Sequence, residues 1–249
     1  MDVKKVYQDG AVTKYLVKGT TSSFMNSIRR TIIIHVPCLA VDEVNFYEND
    51  SVIFDEMLAG RLGLLPIKTD PKAYKRNDTV KLVLEKTGPG IVTSKEIKCT
   101  DPKIEILDKK IYIAKLGKEQ KMKLEMTARM SSGKEHARFQ PAIVSFNELP
   151  IIKNEKTISN AKELLEEAPT GSIEVKAGKV FLLDPYNIKI QNQPVDTLEK
   201  YGVKVEYEPN EFVLTIETTG QLEEKEIIES ALNELSEKFS ELDKEIKKL

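Results

Sequence analysis

The sequence of 249 residues has few cysteines and no long apolar run. Its two cysteines, Cys38 and Cys99, are too few for a disulfide framework and are typical of a protein from a reducing cytosol. Aliphatic runs reach only three residues, as at 32–34, and fall far short of the roughly 20 apolar residues that a membrane helix needs. The first residues, MDVKK, have no apolar signal core behind their charges. We therefore predict a soluble, cytoplasmic protein without a membrane segment.

The sequence also lacks an excess of either charge. Its 38 lysine and arginine residues and 40 aspartate and glutamate residues give a net charge of −2. Proteins that bind DNA on their own are usually more basic, because much of their affinity comes from cations that displace the counterions of phosphates. Autonomous DNA binding is therefore disfavoured, although a local basic patch is still compatible with the composition.

The N-terminal segment has the pattern strand, strand, helix. An Asp-Gly pair at residues 9–10 lies between two strand-forming runs and predicts a tight hairpin. Four hydroxyl residues, 20–23, then offer helix N-caps. Phe24, Ile28 and Ile32 follow at intervals of four residues, so they fall on one face of a helix.

The C-terminal segment repeats this order. Residues 203–207 and 212–216 alternate between apolar and polar around a turn at 209–211, which predicts a second hairpin. A heptad stripe follows, with apolar residues spaced four and three apart. Its members are Ile228, Leu232, Leu235, Phe239, Leu242, Ile246 and Leu249. An internal core stripe would show the same pattern, but so long and regular a stripe favours contact with a partner helix.

Together the two ends predict one discontinuous α+β domain, residues 1–47 and 203–249, made of two strand-strand-helix halves. The residues between them predict a mainly β insertion domain, 48–155, because short alternating runs at 80–84, 104–106 and 111–113 are separated by turn residues. A helical pattern at 161–168 and a hairpin pattern at 172–183 predict a small α+β subdomain, 156–202.

No group of residues indicates catalysis. His136 lies in a basic loop at residues 131–138, where neither an orienting carboxylate nor a nucleophile can be assigned to it. His35 is interpreted as a packing or capping residue at the end of a helix. A zinc site from the two histidines and two cysteines is disfavoured, because only His35 and Cys38 have a pair spacing. We predict no catalytic, cofactor-binding or metal-binding residues.

Four segments in this order resemble the RNA polymerase α-like family. They are residues 24–31 (FMNSIRRT), 61–67 (RLGLLPI), 133–141 (GKEHARFQP) and 217–220 (ETTG). The third segment is similar to the archaeal and eukaryotic version of the insertion domain, so the chain is identified as an archaeal D-type member. The bacterial α subunit N-terminal domain and the third-largest subunit of eukaryotic RNA polymerase II are similar to this type.

The resemblance implies a split dimerisation domain that pairs with the smaller α-like subunit L. The heterodimer would be a platform for the large catalytic subunits, with subunits N and P beside it and with DNA reached only through the complex. The residues expected to contact subunit L are Phe24, Ile28, Ile32, Ile228, Leu232, Leu235, Phe239, Leu242 and Ile246.

Three arginines are expected to face the large subunits. Arg29 and Arg30 are adjacent on the first helix, and such a pair is more often simply solvated. The resemblance favours an interface instead, and arginine suits one because it pairs with carboxylates in a planar, bidentate way. Arg61 is assigned the same role on weaker grounds.

One segment departs from the family pattern. Residues 163–178 resemble a ferredoxin-like module that carries iron–sulfur clusters in many archaeal members. Here Ala168-Pro169 stands where Cys-Pro is expected, and residues 184–201 contain no cysteine. Because clusters are held by several thiolates, we expect the subdomain to keep its fold without a cluster.

The sequence thus predicts a non-catalytic assembly subunit of a nucleotidyltransferase, the archaeal DNA-directed RNA polymerase. The alternative is a stand-alone homodimeric adaptor or transcription regulator that uses the same C-terminal helix. An enzyme in its own right is a third hypothesis, disfavoured because no acid–base or metal constellation is recognisable.

Overall fold

The computed structural model describes residues 1–154, 157–158, 160–168, 171–186, 198 and 200–248. It is a mixed α+β structure, rich in sheets and with few helices, as predicted. The chain divides into two compact units. Unit 1 contains Met1–Arg29 and Val144–Glu217, and unit 2 contains Arg30–Ile143 and Thr218–Leu249.

The N-terminal hairpin of unit 1 forms as predicted. Strand β1 (Asp2–Asp9) pairs antiparallel with β2 (Val12–Lys18), from Asp2 opposite Lys18 to Asp9 opposite Val12. Gly10 in the turn has φ +53°, which glycine adopts without a steric penalty. Two further strands, β9 (Ala142–Lys153) and β12 (Lys204–Thr218), complete a sheet in the order β1-β2-β12-β9.

The predicted hairpin at residues 203–216 was wrong, because β12 is one strand of 15 residues. Its second half pairs with β2, from Glu211 opposite Lys18 to Glu217 opposite Val12, rather than folding back on its first half. Asn210 has φ +61°, a conformation that asparagine tolerates. Its carbonyl oxygen accepts a hydrogen bond from the Gly19 amide at 2.8 Å. The turn signal therefore marks an irregularity inside a strand.

The small helix and hairpin of unit 1 were predicted correctly. Helix α3 (Ala161–Glu167) precedes strands β10 (Ile173–Lys176) and β11 (Lys179–Leu182), which pair antiparallel. Leu164, Val180 and Val203 belong to one buried apolar cluster. Pro169 and most of residues 184–201, on which the comparison with ferredoxin-like modules relied, lie outside the described residues.

Unit 2 is built around a four-stranded antiparallel sheet. Its order is β3 (Pro37–Asn49), β8 (Lys121–Ser132), β4 (Thr79–Thr87) and β6 (Ile97–Cys99). Strands β5 (Gly90–Thr93) and β7 (Tyr112–Leu116) form a separate ribbon, and helix α2 (Asp55–Leu62) lies between β3 and β4 in sequence. The alternating run at 80–84 is part of β4, whereas Ile106 makes only an isolated bridge with Ile67.

The core of unit 2 is the covered face of this sheet. Every second residue of β8 is buried, as expected for a strand with one face on the core. These residues are Met122, Leu124, Met126, Ala128 and Met130. They belong to one apolar cluster with Leu58 and Leu62 from α2, which therefore packs against the sheet.

The described residues also include two longer helices. Helix α1 (Ser22–Ile34) begins where the Phe24 amide donates a hydrogen bond to Thr21 Oγ1 at 3.3 Å, so one of the predicted hydroxyl residues caps it. Helix α4 (Glu224–Ile246) begins with a capping box between Glu223 and Glu226. Across the described ranges, no helix is at once long enough and apolar enough to span a bilayer.

Candidate protein-binding site

Helix α4 carries the predicted apolar stripe, and most of that stripe is open to solvent. The exposed fraction is 45% for Leu232, 68% for Phe239, 55% for Leu242 and 57% for Ile246. A different face of α4 packs on the rest of unit 2, and it is formed by the buried residues Ile227 and Ala231. We use "α4 stripe" for Ile228, Leu232, Leu235, Phe239, Leu242 and Ile246. Leu249, the last member predicted, lies outside the described residues.

The second half of α4 is exposed on all sides. Every residue from Ser236 to Lys248 is exposed, including the polar residues opposite the α4 stripe. A single helix of this length is only marginally stable in water, because tertiary packing supplies most of the stability of a protein helix. Three to four turns with one apolar side are therefore typical of a helix that binds a partner through that side.

Helix α1 uses its apolar face differently. Phe24 is 38% exposed, whereas Ile28 is 6% exposed and Ile32 is fully buried. The spacing thus predicted the face correctly, and within this chain the face is largely covered after its first turn. The contact of these three residues with a partner stays a prediction.

The three predicted interface arginines occupy different environments. Arg29 is half-buried and donates from Nη2 to Asn26 Oδ1 at 3.0 Å, while Arg30 is exposed. Arg61 donates from Nη1 to the Ile113 carbonyl oxygen at 3.2 Å and lies 5.8 Å from the centre of the Tyr112 ring. Arg61 is thus partly used within unit 2, and the role of all three arginines at an interface stays a prediction.

The segment at residues 133–141 is held by ion pairs. Arg129 on β8 donates from Nε to Asp42 and from Nη2 to Glu135, both at 2.8 Å. The hydrogen bond from Arg129 holds the pKa of the Glu135 carboxyl below its ordinary value. His136 Nδ1 accepts from the Arg138 amide at 3.1 Å, so this exposed histidine is engaged in local loop structure.

Gly133 in this segment is required by a close approach of two chain segments. A Cβ atom at this position would lie 2.0 Å from the Ile33 carbonyl oxygen at the end of α1. The next residue, Lys134, donates its amide to the Ile34 carbonyl oxygen at 2.9 Å. The segment therefore pairs the Ile34 carbonyl oxygen, one of the last carbonyl groups of α1, which have no partner within the helix.

Cys38 is one of the residues that were considered for zinc. Cys38 is buried, and its thiol donates to the Phe139 carbonyl oxygen at 2.9 Å. Burial raises the pKa of this thiol to about 12, so at neutral pH it is not the thiolate that a metal binds. In the part of the chain that the structure describes, no three His, Cys, Asp or Glu side chains are grouped in a way that could hold a metal ion.

Two residues that hold α4 in place were missed in the sequence. Arg76 donates to the His35 carbonyl oxygen at 3.0 Å and pairs with Glu234 of α4 at 2.9 Å. Gln221 is buried in the turn before α4. The only sequence feature near either residue that could have drawn attention to it was the family-like segment 217–220, which ends one residue before Gln221.

Comparison with known proteins gives a consistent result. A family model described as the RNA polymerase Rpb3/RpoA insert domain matches residues 52–151. DNA-directed RNA polymerase subunit Rpo3 of Pyrococcus furiosus is 37% identical over 248 residues, which cover 95% of this chain and 93% of that protein. The subunit of the same name from Thermococcus kodakarensis is 35% identical, with 95% and 94% covered. That of Methanothermobacter thermautotrophicus is 30% identical, with 97% of both chains covered.

Proposed function

We propose a function from the premise that this chain belongs to the family of archaeal DNA-directed RNA polymerase subunits named Rpo3. The chain is a subunit of DNA-directed RNA polymerase and acts in transcription. We infer that its own part in that enzyme is assembly: it pairs with the smaller α-like subunit L and so forms a platform for the large catalytic subunits. Its location is then the cytoplasm.

The observation that carries this proposal is the exposed α4 stripe. Phe239, Leu242 and Ile246 are each more than half exposed, on a helix whose opposite side is polar. Covering such a stripe with a second apolar helix removes it from water, at roughly 25 cal/mol for each Å² of apolar surface. Aromatic and aliphatic residues at regular spacing are also the anchors that helix-in-groove recognition uses.

We assign subunit L to the α4 stripe and to the exposed Phe24 of α1. Ile28 and Ile32 belong to the same predicted set, and both are buried within this chain. Arg29, Arg30 and Arg61 are assigned to the large subunits, where guanidinium groups can pair with carboxylates. Subunits N and P are proposed to dock beside the same platform.

We also propose the D type of α-like subunit, whose counterparts are the bacterial α subunit and the third-largest subunit of eukaryotic RNA polymerase II. In this proposal the dimerisation domain is split between residues 1–47 and 203–249, each half with strands followed by a helix. Support comes from the order β1, β2, α1 at one end and β12, α4 at the other. Residues 48–155 form the insertion domain.

Residues 156–202 are proposed to be a ferredoxin-like subdomain that holds no iron–sulfur cluster. The chain contains only Cys38 and Cys99, both outside this range, and cluster ligation relies on several thiolates. Elemental analysis of the purified protein is expected to find no stoichiometric iron. One or more clusters per chain would contradict this part of the proposal.

Co-expression with subunit L from the same organism tests whether subunit L is the partner. Leu235→Asp combined with Phe239→Asp places two carboxylates in the α4 stripe and is expected to abolish capture of subunit L. Asn233→Asp combined with Ser240→Asp makes the same kind of change beside the α4 stripe and is the matched control, which is expected to retain the partner.

Two outcomes of this experiment would oppose the proposal. Unchanged capture of subunit L by the Leu235→Asp, Phe239→Asp variant would show that the α4 stripe is not the interface. A stable homodimer of the wild-type chain that ignores subunit L would favour the homodimeric adaptor instead.

A further inference from the structure

A buried glutamine ties the start of α4 to the body of unit 2. Gln221 is 4% exposed, and its Nε2 donates to the Leu39 carbonyl oxygen at 3.0 Å. The Thr219 hydroxyl lies 2.9 Å from Gln221 Oε1 and also 2.9 Å from the Pro141 carbonyl oxygen. The backbone carbonyl oxygen of Gln221 accepts from the Thr69 amide at 2.8 Å. Three separate segments of unit 2 therefore hold this one turn.

Gln221 pairs with a backbone group of an edge strand. Strand β3 lies at the edge of its sheet, and Leu39 within it is fully buried. The Leu39 amide donates to Thr69 Oγ1 at 3.0 Å, and its carbonyl oxygen accepts from Gln221. Buried backbone groups must be paired, and at an edge strand no neighbouring strand pairs them. The side chains of Gln221 and Thr69 pair the Leu39 backbone groups that a neighbouring strand would otherwise pair.

A second attachment holds the middle of α4. Arg76 bridges the His35 carbonyl oxygen and the Glu234 carboxylate, while Ile227 and Ala231 are buried between the two attachments. Beyond Leu235 the helix is exposed on every side. This free part is about 17 Å long at about 1.5 Å per residue, so a tilt of about 10° at the attachments moves its end by about 3 Å.

We propose that Gln221 is a positioning residue for partner docking: it sets the direction in which α4 leaves unit 2, and hence where the α4 stripe meets its partner. Gln221 does this without contact with the partner, because it is buried. The inference rests on the proposed function, in which the α4 stripe binds subunit L. Knobs-into-holes packing tolerates little displacement, so the direction of the helix decides the fit.

The test compares Gln221→Met with Gln120→Met, both in unit 2. Each change replaces a glutamine amide by an apolar chain of similar length. The side-chain oxygen of Gln120 accepts a hydrogen bond from the Gly117 amide, in the turn before β8. Gln221→Met is expected to weaken binding of purified subunit L about tenfold, a size typical of coupling between separate sites. Gln120→Met is expected to bind like the wild type.

A distance measurement separates positioning from general destabilisation. Spin labels at Lys98→Cys and Ser240→Cys, in a Cys99→Ser background, report the direction of α4 in the free chain. Gln221→Met is expected to broaden or shift this distance distribution, and Gln120→Met is expected to leave it unchanged. Leu235→Asp with Phe239→Asp is expected to lose subunit L while the distribution stays that of the wild type.

The outcomes distinguish the two proposals. If wild-type chain does not bind subunit L, the proposed function fails, and the spin labels still decide whether Gln221 directs α4. If Gln221→Met is folded, binds subunit L like the wild type and keeps the wild-type distance distribution, the positioning role is overturned. Should Gln221→Met not fold, Thr219→Val, which removes only the hydroxyl beside Oε1, takes its place and the same results decide.

Discussion

The central sheet of unit 2 and helix α4 belong to the same unit but use their apolar residues in opposite ways. In β8 the alternate residues Leu124, Met126 and Met130 are at most 1% exposed. In α4 the regularly spaced Phe239, Leu242 and Ile246 are more than half exposed. Both patterns are present in the sequence, although only the α4 pattern was predicted. The difference shows that apolar periodicity identifies an apolar face, and not whether the same chain buries that face.

The largest difference between α4 and β8 is expected in the rate of amide hydrogen exchange. In the free chain, the amides of residues 236–246 should exchange on the order of a thousandfold faster than those of β8, because they open locally while β8 opens only with the whole unit. With subunit L bound, the α4 amides should become protected. Mass spectrometry of peptic fragments, with and without subunit L, measures both. Equal protection of α4 and β8 in the free, monomeric chain would remove the contrast between the two regions.

A substitution in the core is expected to destabilise the central sheet of unit 2. Leu124→Ala removes a fully buried side chain from β8 and should lower the free energy of unfolding by about 3 kcal/mol, since it leaves a cavity. Val83→Ala on β4 is the control, because Val83 is 36% exposed and its loss should cost much less. Urea unfolding followed by circular dichroism measures both variants. A loss at Val83 as large as that at Leu124 would show that the outer face of the sheet is also packed.

The smallest effect concerns an ion pair next to the sheet. Burial opposes ionisation of Glu96, but hydrogen bonds from Lys86 and Thr93 outweigh it and lower the pKa of Glu96 to about 2. Because this pKa lies below the ordinary value of 4.5, the stabilisation is complete above about pH 4.5 and is lost as the pH falls towards 2.

Glu96→Gln should therefore reduce the loss of stability between pH 4.5 and pH 2.5, measured by urea unfolding at several pH values. Glu85→Gln is the control, since the Glu85 side chain is 67% exposed and its carboxylate lies 3.7 Å from Lys123 Nζ. If both variants retained the acid sensitivity of the wild type, Glu96 would not be a source of it.

Local features of the fold were predictable from the sequence. The Asp-Gly pair at residues 9–10 predicted the first hairpin. The tight turn requires a positive φ, and Gly10 within the pair supplies it. The hairpin at 172–183 was also predicted from a local pattern. The turn signal at 209–211 was misread, because the partner of residues 211–217 is β2, about 200 residues earlier in the chain. Helix α2 was not predicted.

The sequence by itself determined which faces of α1 and α4 are apolar, because helical spacing alone decides which residues share a face. Only the tertiary structure decided that Ile28 and Ile32 are covered within the chain while the α4 stripe is not. It also decided that Gln221 pairs with Leu39, 182 residues away in sequence. Pairings of this kind have no local pattern, because they depend on which distant backbone groups the fold leaves without a partner.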